Sequence, residues 1–136
     1  MYKNIIVPMA LDHGVSPQSL EIARALLEQG GTITALHVYE APEGSVSAYV
    51  DEETMRAAYE KAAERLKEKV SGIEGVTAVI VRGHSARTII DYAVENAADC
   101  IVMGSHKPGI RDYFLGSTAS HVVRHAKCAV HVHRDS

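Results

Sequence analysis

Apolar and polar positions run along this chain in two rhythms. Short, mostly β-branched runs are expected to be strands: Ile5-Ile6-Val7 bounded by Pro8, Thr32 to Tyr39, Val76 to Val81, Asp99 to Met103, and Ala129 to His133. Between them the spacing turns helical. Ser16-Pro17 offers an N-cap and a proline at the first helical position, Leu20, Ala23 and Leu27 keep one face, and Gly30-Gly31 is expected to stop that helix. Asp51 is placed to cap a long helix whose stripe is Met55, Ala58, Tyr59, Ala62, Leu66 and Val70, ended by Gly72 and Gly75. Gly83-His84-Ser85 leads into a third helix with Ile89, Ile90, Ala93 and Val94 facing inward, and a fourth runs from Ser117 to about His125. The stretches Ala10 to Gly14 and Glu40 to Val50 are loops by composition.

The order βαβαβαβαβ predicts an α/β fold: a doubly wound, parallel, five-stranded sheet with helices on both faces and right-handed crossovers. No linker, repeat or low-complexity stretch divides residues 1–136, so one domain is expected. In such sheets ligands bind beyond the carboxyl ends of the strands, where the strand order reverses.

Composition narrows the function classes. A formal net charge of −3 argues against a general nucleic-acid binder, and no apolar run is long enough to span a membrane. Cys100 and Cys128 sit in apolar contexts without metal or redox spacing, as buried thiols do in a reducing compartment, so a cytoplasmic location is expected.

The stretch Cys100 to Thr118, CIVMGSHKPGIRDYFLGST, concentrates the chemistry. A strand empties at Gly104 into a polar loop and reaches Gly116-Ser117-Thr118 at a helix start. Glycines allow close backbone approach, and free N–H groups with the positive end of the helix dipole suit phosphate. An ordinary strand–loop–helix connection, with Ser117 as cap, would look the same. Other phosphate and acyl chemistries are missing their signatures: there is no GxGxxG after the first strand, no GxxxxGK[ST], no GxSxG, and no carboxylate ending the third strand.

Four segments together resemble the universal stress protein family over essentially the whole chain. They are KNIIVPM, LHVYE, VRGHSARTIIDYA and, most specifically, VMGSHKPGIRDYFLGSTASHVVRHAKCAVHV. The resemblance implies a Rossmann-like fold and an adenine-nucleotide site, G-x2-G-x9-G-[ST], taking ATP or ADP with or without Mg2+. Gly104 matches the first glycine, and Gly116-Ser117, followed by Thr118, match the last pair. The middle glycine falls on Lys107 and the loop is one residue short; Gly109 supplies nearby flexibility, and Lys107 brings a cation towards the phosphates. Ala10 stands where an Asp is usual, and Asp12, two positions on, is the alternative carboxylate for the ribose or a metal. By the same resemblance adenine would lie against the backbone of Pro8, Met9 and Ala10 and against Val38, with Met103 closing the other side. His106 lies inside the loop and is expected to contact ligand or shape the loop.

His121 and His125 share a helix face, and His131 and His133 share a strand face. These are read as surface residues, and no metal ligands are assigned. No general base for water attack is evident, so no catalytic residue is assigned and at most weak ATP hydrolysis is expected. The expected function is a small homodimeric regulatory or stress-response protein that binds an adenine nucleotide, its protein partner unknown. A dimeric interaction module without nucleotide, or a slow ATPase, are the alternatives. The resemblance implies that two copies pair through the C-terminal strand. His131 and His133 of both chains would then stand opposite one another, weakening the dimer as imidazoles take up protons.

Overall fold

The computed structural model describes residues 1–10, 17–40, 51–105 and 115–134. The Ser16 cap and the site candidates Asp12, His106, Lys107 and Gly109 lie outside the described residues. In chain order the elements are β1 (Tyr2–Pro8), α1 (Pro17–Leu26), β2 (Leu27–Tyr39), α2 (Glu52–Val70), β3 (Val76–Arg82), α3 (Ser85–Glu95), β4 (Cys100–Gly104), α4 (Ser117–His125) and β5 (Ala129–His133). The five strands are parallel and ordered β3-β2-β1-β4-β5, so the winding reverses between β1 and β4.

Alternation along the central strands builds two cores. Ile5, Val7, Ile33, Ala35 and Val102 pack with Leu20 and Ala23 of α1 and Leu66 and Val70 of α2. Ile6, Leu36, Ile101 and Met103 pack on the other side with Ala86, Ile89 and Ala93 of α3 and Ala119 and Val122 of α4. A fully buried aliphatic side chain contributes about 1.5–3 kcal/mol, so these central strands carry most of the stability. Cys100 is buried and Cys128 half-buried; both are free thiols. Burial, helped by the charges of Cys128 and Asp99, pushes the Cys100 thiol up to about 11, so it stays protonated.

Several expected details are corrected. Gly30-Gly31 does not stop α1, which ends at Leu26; the pair lies inside β2. Three residues of β1, Tyr2 to Asn4, lie opposite six of β2, Leu27 to Thr32, so the chain bulges there. Gly30 takes φ +85°, and a Cβ on Gly31 would stand 2.8 Å from the Lys3 carbonyl oxygen, which is why glycines occupy the bulge. Val94, expected inside, is 55% exposed, and Ala86 takes the buried place on α3. Ala58 of the α2 stripe is exposed as well. His133, expected at the surface, is buried, its Nε2 2.5 Å from the Ser19 hydroxyl of α1. His121, His125 and His131 are exposed as expected. Only His131 therefore presents an imidazole on that face of β5, and the pairing of His133 with its copy is withdrawn.

Asp99, just before β4, ties the amino end of the sheet. Its carboxylate accepts the N–H of Lys3 at 2.8 Å and of Asn4 at 3.0 Å, while its own N–H donates to the Asn4 carbonyl at 3.0 Å. Desolvation pushes its carboxyl up, but the N–H bonds of Lys3 and Asn4, its own N–H and the Lys3 charge outweigh it, holding the group below its usual range. A carboxyl depressed on folding stabilises above its unfolded pKa, about 3.9, and loses that contribution as pH falls towards the folded value. Asp99→Ala should cost about 1 kcal/mol in urea unfolding at pH 7. The gap to wild type should shrink below about pH 4; a gap of the same size there would show that the carboxylate charge is not what matters.

Candidate functional site

The neighbouring ladders at the carboxyl end of the sheet do not stop together. β1 stays paired with β2 through Pro8 opposite Leu36, and the Met9 N–H extends the ladder to the Leu36 carbonyl at 2.8 Å. β4 stays paired with β5 through Gly104 opposite His133, and the Ser105 N–H donates to the His133 carbonyl at 2.8 Å. Between β1 and β4 only Ile5–Cys100 and Ile6–Ile101 pair. Past Ile6 and Ile101 the sheet parts. The crevice lies at the reversal of strand order, where open α/β sheets hold ligands.

Most of the described candidates meet around this crevice. Pro8, Met9 and Ala10 leave β1 on one lip, and Met103 and Gly104 leave β4 on the other. Val38 lies near the end of β2 and shares a core cluster with Met103, both nearly buried, which gives an apolar floor. Met9 points the other way, into the α1–α2 core, so at this site it offers backbone rather than side chain. Gly116, Ser117 and Thr118 begin α4 at the rim. Gly116 is the N-cap and carries no side-chain cap, and no acidic residue stands in the first turn. The first-turn N–H groups are thus left to other partners, with the positive end of the dipole behind them.

Three contributors escaped sequence reasoning. Ser105 is buried, and its carbonyl accepts the Gly116 N–H at 2.6 Å, bringing β4 and the start of α4 together at the base of the glycine loop. It lies inside the quoted stretch, but the glycine spacing drew attention past it. His37, near the carboxyl end of β2, places Nδ1 2.8 Å from the Met9 carbonyl oxygen. Glu40, beyond the end of β2, accepts the Ser85 N–H at 2.8 Å and so caps α3, where His84 makes no side-chain cap. Both belong to the LHVYE segment, but nothing in the sequence says which backbone group each would reach.

Two shallow grooves lie elsewhere. One, along α2 and the end of β3, is lined by Glu52, Met55, Arg56, Tyr59, Glu60 and Arg82. The other lies between α3 and α4, where the rings of His121 and His125 stand 4.6 Å apart. Neither is lined by residues at the parted strand ends. Among the described residues no group of three His, Cys, Asp or Glu side chains is placed to hold a metal, and no helix is long and apolar enough to cross a membrane.

Comparison with known proteins points one way. The profile of the Universal stress protein family matches residues 1–134. Universal stress protein G of Escherichia coli O157:H7 is 35% identical over 143 residues, covering 98% of this chain and 100% of that protein. Universal stress protein UspA from Lactobacillus plantarum superposes with a TM-score of 0.68 at 26% identity, covering 96% of this chain and 97% of the other. The universal stress protein from Archaeoglobus fulgidus, solved in complex with dAMP, has the same fold at 21% identity and a TM-score of 0.57, with 96% and 97% covered. The five-stranded parallel sheet, the loop sequence and these matches agree, and the chain belongs to the universal stress protein family.

Proposed function

We propose that this protein binds an adenine nucleotide, ATP or ADP, in the crevice between β1 and β4, and acts as a small homodimeric regulatory protein. The observation that carries the reading is the parting of the sheet past Ile6–Ile101 with the uncapped start of α4 at its rim. The base has an apolar floor in Val38 and Met103 and backbone from Pro8 to Ala10 beside it. The phosphates have the N–H groups of Ser117 and Thr118 and their hydroxyls, with the positive end of α4 behind them. Lys107, Gly109, His106 and Asp12 are assigned to the phosphate and ribose side on sequence alone. The dAMP carried by the Archaeoglobus fulgidus protein supports the ligand class. No residue is assigned to catalysis, and Mg2+, when bound, would accompany the phosphates.

The dimer reading rests on β5, an edge strand without proline or lysine. The His133 carbonyl accepts from Ser105, so backbone alternation turns the N–H and C=O groups of His131 and His133 towards β4 and leaves those of Val130 and Val132 facing outward. Two copies can pair those outward groups antiparallel about a two-fold axis.

Gly116 has φ −58° and ψ 157°, a conformation open to any residue, so Gly116→Val should leave the backbone unstrained while its methyl groups fill the cradle. Calorimetry should show ATP affinity falling at least about tenfold, roughly 1.4 kcal/mol, with the circular dichroism of the fold retained. Unchanged affinity in a folded variant would misplace the site. Val130→Pro removes one outward N–H donor, so sedimentation should find a monomer where the wild type is a dimer; a monomeric wild type contradicts the interface.

A further inference from the structure

Met9 is held twice by β2. Its N–H donates to the Leu36 carbonyl at 2.8 Å, and its carbonyl lies 2.8 Å from Nδ1 of His37, the next residue. A carbonyl can only accept, so Nδ1 carries the proton. The first bond is ladder geometry available to many sequences. The second is a side chain reaching past the last register pair, Pro8–Leu36, to fix the point where β1 leaves the sheet. That point is one lip of the crevice. The opposite lip is fixed separately, by Ser105 bonding both His133 and Gly116.

We infer that His37 is a positioning residue for the nucleotide site: its Nδ1–H holds the Met9 carbonyl on the β2 side, keeping the backbone of Pro8 to Ala10 away from β4 and the crevice open. Without that bond the Met9 backbone is tied to β2 by its N–H alone, its side chain still held in the α1–α2 core, and among the described residues no ladder pair joins it to β4 beyond Ile6. His37 touches the base side of the site, not the phosphate side, so its loss weakens nucleoside and nucleotide alike. This rests on the nucleotide reading above.

The test compares wild type, His37→Ala and His37→Asn, the asparagine amide being able to place an N–H near the position of Nδ1–H. In ligand-free protein, hydrogen exchange followed by NMR should show the Met9 amide exchanging at least about tenfold faster in His37→Ala, with Ile6 unchanged and Met9 restored in His37→Asn. Calorimetry with adenosine and with ATP should show His37→Ala losing the same factor for both, about five- to tenfold, and His37→Asn regaining most of it. Met9 exchange unaffected by His37→Ala, affinities equal to wild type, a loss confined to ATP, or no rescue by asparagine would each overturn the role of His37 alone. A wild-type protein that binds neither ligand would instead overturn the nucleotide reading and this inference with it.

Discussion

Among the described residues two ladder pairs, Ile5 with Cys100 and Ile6 with Ile101, join β1 to β4 at the point where the winding reverses. Everything proposed for function depends on where that short ladder stops. At its amino end Asp99 binds the backbone of Lys3 and Asn4 and holds the strands in register. At its carboxyl end no equivalent bond among the described residues crosses between the strands, and each is drawn to its outer neighbour instead. β1 follows β2 through Met9, and β4 follows β5 through Ser105. A sheet clamped at one end and parted at the other has a crevice as a consequence of its hydrogen bonds.

The helices complete the polarity. Each crossover starts a helix after the carboxyl end of a strand, so the positive helix ends gather on the side of the crevice. They are not equally available. The α2 start is capped by Asp51, whose carboxylate accepts the Thr54 N–H at 2.6 Å, and the α3 start by Glu40. The α4 start has glycine at its cap and, among the described residues, no side-chain cap, and it is the start that Ser105 holds against β4. Local capping thus distinguishes one helix end from two others with the same dipole.

The strands and helices were legible in the sequence because burial sets their pattern. Runs such as Ile5-Ile6-Val7 have to be covered on both faces, and α4 and β5 begin and end where the periodicity places them. The glycine spacing from Gly104 to Gly116 was legible for a similar reason, since few residues allow close backbone approach. What could not be read depends on distant partners. Gly30-Gly31 looks like a helix stop from its neighbours, and only the nearness of the Lys3 carbonyl makes it a bulge. His133 looks like a surface residue on a polar strand face until α1 brings Ser19 to it across the fold. His37 looks like any polar position in a half-buried strand, because the carbonyl it reaches belongs to β1.

The central claim, that the parted strands form the nucleotide site, is tested most directly by NMR of the labelled wild-type protein titrated with ATP. The account predicts the largest backbone shift changes at Met9, Ala10, Gly104, Gly116, Ser117 and Thr118, with the α2 groove and the His121–His125 face unaffected. Changes concentrated in either of those grooves, or no saturable change at the crevice residues, would contradict it.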